Sequence, residues 1–311
     1  MADLDLDEAE RADLLRRLLA ARRAASDAER RPTAKRKQPR TGPRRRSAGA
    51  RGRGPGWWRR GPPDLHRSTA KKPTHADLGA RLTRTILEDL ELPKAAIFDL
   101  DGTLLDSVDL HAIAWQEAML AFGHDVGFEQ VRSQIGKGGD KLIPVFLSAD
   151  EQRSHGKELE AWRGQRFKSE YLPLVRPFSA VPDLLRRVRD AGLQIAVASS
   201  AKRDEVTKYL DIARIADLVD LTTSSDDAEE SKPAPDIFEI VLKKLKINGA
   251  DAVAIGDTPY DAEAAERANI ATIGVLCGGF TEHALKRAGC VEIYRGPAGL
   301  FARFANSLLA R

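Results

Sequence analysis

The stretch AAIFDLDGTLLDS, residues 95–107, decides the fold. Four apolar residues run unbroken into Asp99-Leu100-Asp101, and Gly102-Thr103 then turns the chain. A short continuous apolar run closed by turn residues is the pattern of a strand buried on both faces. Successive side chains of a strand point to opposite faces, so Asp99 and Asp101 project the same way where the chain leaves the sheet. Two carboxylates that close repel one another unless a cation or a proton intervenes.

Working outward, similar β-rich runs recur at QIAVASS (194–200), LVDLTTS (218–224), DAVAIGD (251–257), ATIGVLC (271–277) and VEIY (291–294). Between them lie helical patterns, VPDLLRRVRDAG (181–192), DEVTKYLD (204–211), PDIFEIVLKKLK (235–246) and DAEAAERAN (261–269). Near-continuous apolar strands alternating with amphipathic helices predict an α/β fold, a Rossmann-like parallel sheet with helices on both faces. One connection breaks the rhythm. About ninety residues separate the first strand from the second, far more than one crossover needs, and residues 109–175 read as several helices. This predicts an inserted α-helical cap domain over 109–177, with the core split into 93–108 and 178–311. The insert adjoins the carboxyl end of the first strand, where open α/β sheets place their active sites.

The other strand ends carry the remaining chemistry. The run at 251–257 ends in Asp257, followed by Thr258-Pro259-Tyr260-Asp261. In a parallel sheet both acidic ends open onto one edge, so oxygen ligands converge without His or Cys, which suits Mg²⁺ rather than a transition metal. Ser199 and Ser200 close the second strand and offer hydroxyls and backbone N–H groups to an anion at a helix start. Lys232, before Pro233, brings a positive charge to the same edge. Acids, metal, hydroxyls and lysine at one edge make a phosphoryl-transfer site, since that chemistry needs positioning and charge neutralisation.

Composition excludes other classes. The 311 residues are 42% hydrophobic, enough for a packed core, and no run approaches eighteen apolar residues. Cys277 and Cys290 are the only cysteines, too few for a disulfide scaffold, and the opening MADLDLDEAE lacks the apolar segment of a signal peptide. Both features point to the cytoplasm. The net charge of +4 conceals a split: residues 1–80 hold 21 Lys and Arg against 10 Asp and Glu. Residues 31–72 contain fifteen basic residues and one acid, Asp64, amid many Pro and Gly. Such a segment cannot offset the entropy of ordering, so 1–92 is expected to be a basic, largely disordered extension, with helical patterns at 3–30 and 76–90. Its Arg-Gly pairs and Trp57-Trp58 allow a nucleic-acid partner by phosphate neutralisation and stacking, although a solvated extension is the simpler reading, since charge runs alone specify no partner.

The order DLDGTLLDS (99–107), AVASS (196–200), SKPAPDIF (231–238) and GDTPYDAEAA (256–265) resembles the haloacid dehalogenase superfamily of phosphohydrolases. The resemblance covers about 215 residues from position 94 onward and leaves the N-terminal extension outside. It implies a Mg²⁺-dependent phosphatase acting on a small phosphorylated metabolite. On that resemblance Asp99 matches the nucleophile that becomes an aspartyl-phosphate, and Asp101 the general acid/base, its backbone carbonyl also a metal ligand. Ser199 matches the phosphate-binding hydroxyl, with Ser200 and Thr103 beside it, and Lys232 the lysine that stabilises the phosphoryl group. Asp257 matches the direct metal ligand, while Asp261 holds a metal-bound water or orients its neighbours. Gly136-Lys137-Gly138-Gly139-Asp140-Lys141 resembles the cap's specificity loop, making Lys137 a substrate-contact candidate. Asn269 stands where the family usually has Gly, which changes a helix end rather than the chemistry.

Two alternatives remain open at this level. A sugar-phosphate mutase resembling β-phosphoglucomutase shares the His111 and Trp115 positions, although Thr103 is the residue typical of phosphatases. A nucleic-acid-associated protein would act through the basic extension. His111 and Trp115 lie one helical turn apart and are read as a packed aromatic contact between cap and core.

Overall fold

A computed structural model describes residues 92–310. The basic extension, its two helical patterns and any nucleic-acid contact through 31–72 lie outside the described residues.

The six long apolar runs all form strands of one parallel sheet: β1 (Ala95–Phe98), β4 (Gln194–Ala198), β5 (Leu221–Thr223), β6 (Ala252–Gly256), β7 (Ala271–Val275) and β8 (Cys290–Tyr294). Their order is β5-β4-β1-β6-β7-β8, which puts β1 between β4 and β6. Every residue of β1 and β6 is buried, whichever way it points, so both faces of the centre are covered. On one face Ala95, Ile97, Ala196, Ala198, Ala252 and Ala254 pack against Ile237, Phe238 and Val241 of the helix Asp236–Leu245 and Ala264 and Ala265 of the helix Pro259–Arg267. Alanines on the strands leave room for Phe238 and Ile237 to fill the layer. Asn269, just past Pro259–Arg267, takes the left-handed conformation at φ 58°, which Asn tolerates where Gly is the commoner choice.

The long connection is helical. Helix α1 (Val108–Ala121) is followed by α2 (Phe128–Arg132), α3 (Gly139–Phe146) and a helical run from Ala149 to Leu174 that contains α4 (Lys157–Arg166) between two π turns. This segment has its own core of Ala112, Met119, Val131, Leu142 and Leu159, around which Phe122, Phe128 and Trp162 are half-buried. Where the insert leaves and rejoins the sheet, β2 (Leu105–Asp106) pairs antiparallel with β3 (Arg176–Pro177). That two-stranded ribbon is too short for any periodicity to show in the sequence. No helix among the described residues is long and apolar enough to cross a membrane.

Candidate active site

Register assembles the site. Phe98 pairs with Val197 on one side and Ile255 on the other, so Asp99, Ser199 and Asp257 follow within two residues of one line across the sheet. The Asp99 N–H continues the ladder by donating to the Ile255 carbonyl at 2.9 Å. The chain then turns at Gly102, whose φ of 83° favours glycine, and a Cβ there would lie 2.4 Å from Asp257 Oδ2. Gly278 closes the other side, since a Cβ at that position would fall within bonding distance of the same oxygen. The glycines therefore leave Asp257 the space it occupies.

Lys232 supplies the charge at the centre. Its side chain is 1% exposed, and Nζ lies 2.6 Å from Asp99 Oδ1, 2.7 Å from Asp261 Oδ1 and 2.8 Å from the Ala198 carbonyl. Burial alone would lower the proton affinity of the ammonium, but Asp261 and Asp99 outweigh it and hold Lys232 above the usual lysine range. Asp261 is fixed through its other oxygen, which accepts from the Thr258 N–H at 3.0 Å and the Thr258 hydroxyl at 2.7 Å, a capping box at the start of Pro259–Arg267.

One ammonium does not balance three buried carboxylates. Oxygens of Asp99, Asp257 and Asp261 lie within 4.8 Å of one another. Burial pushes the Asp99 carboxyl up to about 7, with Asp261 and Asp101 adding repulsion against the attraction of Lys232. Burial likewise drives Asp257 well above the carboxylate range, with Asp261 and Asp99 adding to it. Asp257 Oδ2 is buried without a hydrogen-bond partner. A surplus of buried negative charge, an orphaned carboxylate oxygen and an all-oxygen donor set fit a hard divalent cation.

The remaining candidates divide by what they touch. The Asp101 side chain stands apart from the carboxylate cluster. It accepts from Ser107 Oγ at 2.5 Å and His111 Nε2 at 2.9 Å, and although burial raises its carboxyl, His111, Ser107 and Arg163 outweigh this and hold it below the usual range. Thr103, a phosphate-contact candidate, has a fully buried hydroxyl that donates to Asp257 Oδ1 at 3.0 Å and orients that carboxylate. Ser199 Oγ accepts from the Ala201 N–H, and Ser200 Oγ donates to the Gly136 carbonyl, joining sheet edge to insert. Lys137 hydrogen-bonds Gln134 Oε1 at 2.6 Å and lies 4.6 Å over the Tyr260 ring.

A cleft of about 730 Å³ separates the insert from the sheet edge. Asp101, His111, Trp115, Lys137, Arg163 and Ser200 are among the residues that line it. His111 stacks on Phe167 within the insert, ring centroids 3.9 Å apart, meets the core edge-on at Tyr209, whose hydroxyl lies 2.9 Å from Nε2, and also reaches Asp101. Two members of the site escaped the sequence reading. Arg163 touches His111, but in KELEAWRGQR nothing distinguishes it from a surface arginine. Cys277 Sγ donates to the Gly102 carbonyl at 3.0 Å; burial, with Asp257 nearby, pushes its thiol up and keeps it a donor. Its position just past β7 was the available signal.

Comparison with known proteins follows the same outline. Residues 96–275 match the family model described as haloacid dehalogenase-like hydrolase. A phosphoglycolate phosphatase of Aquifex aeolicus is 32% identical over 193 residues, 60% of this chain and 85% of that protein. One from Vibrio parahaemolyticus is 30% identical over 199 residues, 60% of this chain and 84% of that protein. Among solved structures, a hydrolase from Pseudomonas syringae superposes with a TM-score of 0.62 at 26% identity, covering 68% of this chain and 98% of the other.

Proposed function

The chain belongs to the haloacid dehalogenase-like hydrolases, and from that premise we propose that it is a Mg²⁺-dependent phosphatase hydrolysing a small phosphorylated metabolite through an aspartyl-phosphate. One observation carries the reading: three buried carboxylates lie within 4.8 Å of one another at one sheet edge, and a single buried lysine pairs with two of them. Asp99, Asp257 and Asp261, with the Asp101 carbonyl, would hold the metal, which when bound neutralises charge on the phosphate and keeps Asp99 ionised.

In this reading an Asp99 carboxylate oxygen attacks phosphorus and the bond to the ester oxygen breaks. Asp101 gives the departing alkoxide its proton. Water then attacks the acyl phosphate, its proton passes to Asp101, and the bond from phosphorus to Asp99 breaks to release phosphate. Asp101 suits both halves: its contacts hold it ionised in the free chain, and an arriving phosphate dianion raises its proton affinity by like-charge repulsion, so that it takes up from solvent the proton it then gives to the alkoxide. Lys232 stabilises the phosphoryl oxygens while it fixes Asp99. Ser199 and Ser200 would donate to the phosphate oxygens, Thr103 steadies Asp257, and Lys137 would meet the substrate from the insert. Residues 109–177 act as the cap over a core of 93–108 and 178–311. The names of the relatives make 2-phosphoglycolate the first metabolite to try.

The test is hydrolysis of p-nitrophenyl phosphate with and without Mg²⁺, beside Asp99→Asn. Metal-dependent turnover that disappears in the variant supports the proposal. Turnover that survives Asp99→Asn, or no hydrolysis of any phosphate ester, would overturn it.

A further inference from the structure

Three buried side-chain polar atoms have neither a hydrogen-bond nor an ion-pair partner among the described residues. One is Asp257 Oδ2. The other two, Arg163 Nε on the insert and Ser225 Oγ on the core, belong to residues that line the cleft. Arg163 is the more informative. Its guanidinium lies 5.0 Å from the Trp115 ring centroid and 5.2 Å from that of Phe167, so both rings limit its freedom. One terminal N–H donates to His111 Nδ1, which leaves His111 Nε2 to donate to Asp101. Among the described residues it forms no ion pair, whereas Lys168 and Lys202 on the same cleft each face a carboxylate.

An arginine held between aromatic rings with a dry, unpartnered N–H is a preformed seat for an anion. The nucleophile and Lys232 already account for the phosphoryl group, so this seat serves a second charge. We propose that Arg163 reads an anionic group on the non-transferred end of the substrate, a carboxylate or a second phosphate. The chain then acts on compact dianionic-plus-anionic metabolites in preference to neutral phosphate esters. The assignment rests on the phosphatase reading above. It also sets the scale of the ligand, because the guanidinium lies only two hydrogen bonds from the Asp101 carboxylate.

The experiment compares kcat/KM on 2-phosphoglycolate, on 2-hydroxyethyl phosphate, which replaces its carboxylate by a neutral hydroxymethyl group, and on glucose 1,6-bisphosphate. The native protein should favour one of the two anionic substrates over the neutral ester by roughly tenfold to a hundredfold, as expected for a hydrogen-bonded charge contact. Which one it favours tells carboxylate from phosphate. Arg163→Met should collapse that ratio toward one, chiefly through KM, and Arg163→Lys should recover part of it. Loss of the His111 contact affects every substrate alike and cancels in the ratio. Equal turnover of neutral and anionic esters by the native protein, an unchanged ratio in Arg163→Met, or collapse of the ratio by Lys137→Met instead would overturn the assignment. None of these outcomes touches the phosphatase reading, which fails only if no ester is hydrolysed or Asp99→Asn retains activity.

Discussion

Lys232 Nζ lies 2.6 Å from Asp99 Oδ1 and 2.7 Å from Asp261 Oδ1, so one buried ammonium holds two carboxylates that come from different strand ends. Removing one partner of a buried ionic cluster leaves charge with no solvent to screen it. Lys232→Met should therefore destabilise the metal-free protein by about 3–5 kcal/mol. Chemical denaturation measures this, and a midpoint equal to that of the native protein would show that the carboxylates are held otherwise.

Asp99→Asn acts in the opposite direction on stability. It removes one of three crowded buried carboxylates while keeping the shape, so the metal-free variant should melt above the native protein. Its turnover should fall by on the order of a thousandfold or more if Asp99 is the nucleophile. Scanning calorimetry and steady-state kinetics on one preparation check both halves.

Acidity gives a third expectation. Burial raises Asp99 to about 7 and drives Asp257 well above the ordinary carboxylate range, so between that range and pH 7 the folded state holds protons that the unfolded chain has released. Stability from these groups is complete at low pH and is lost as pH rises through their folded values. The melting temperature of the metal-free protein should therefore decline from about pH 5 to pH 8, apart from general acid effects at the low end. Added Mg²⁺, which needs the ionised carboxylates, should restore it most at the alkaline end. A metal effect independent of pH would argue against ligation by these residues.

Gly278→Ala tests the space around Asp257. The new Cβ would overlap Asp257 Oδ2, and that carboxylate must shift. Metal affinity by isothermal titration should weaken at least tenfold, about 1.4 kcal/mol. Gly164→Ala, where a Cβ meets nothing within 4 Å, is the control and should leave the affinity as it is.

Across the cleft, Lys141 Nζ meets Glu230 Oε2 at 2.5 Å, but the two side chains are 35% and 59% exposed. A double-mutant cycle on stability should return a coupling of roughly 0.2–1 kcal/mol that fades at high salt. A larger, salt-independent value would make this pair a true fastening between insert and core.

Much of this architecture is written locally. The six apolar runs became the six parallel strands, because a run buried on both faces has no other stable use in an alternating α/β chain. The same logic placed Asp99 and Asp257 at one edge, since a strand's carboxyl end and its period of two are properties of the segment alone. The β2–β3 ribbon was invisible, being two residues long on each side and defined only by its partner.

Side-chain partnerships belong to the tertiary structure. The sequence could align Thr103 with a phosphate, but only the packing of β6 beside β1 turns its hydroxyl onto Asp257. It could place Lys232 at the edge, yet the choice of Asp99 and Asp261 as its partners depends on loops from three strands meeting in a volume closed to water. Arg163 is the clearest case. Its local pattern is that of an exposed helical arginine, and it becomes a cleft residue because α4 folds back over α1 and brings it to His111, fifty-two residues away. Strand ends and turns are set by short-range sterics and periodicity, whereas the ownership of each buried charge is settled by which distant groups exclude water together.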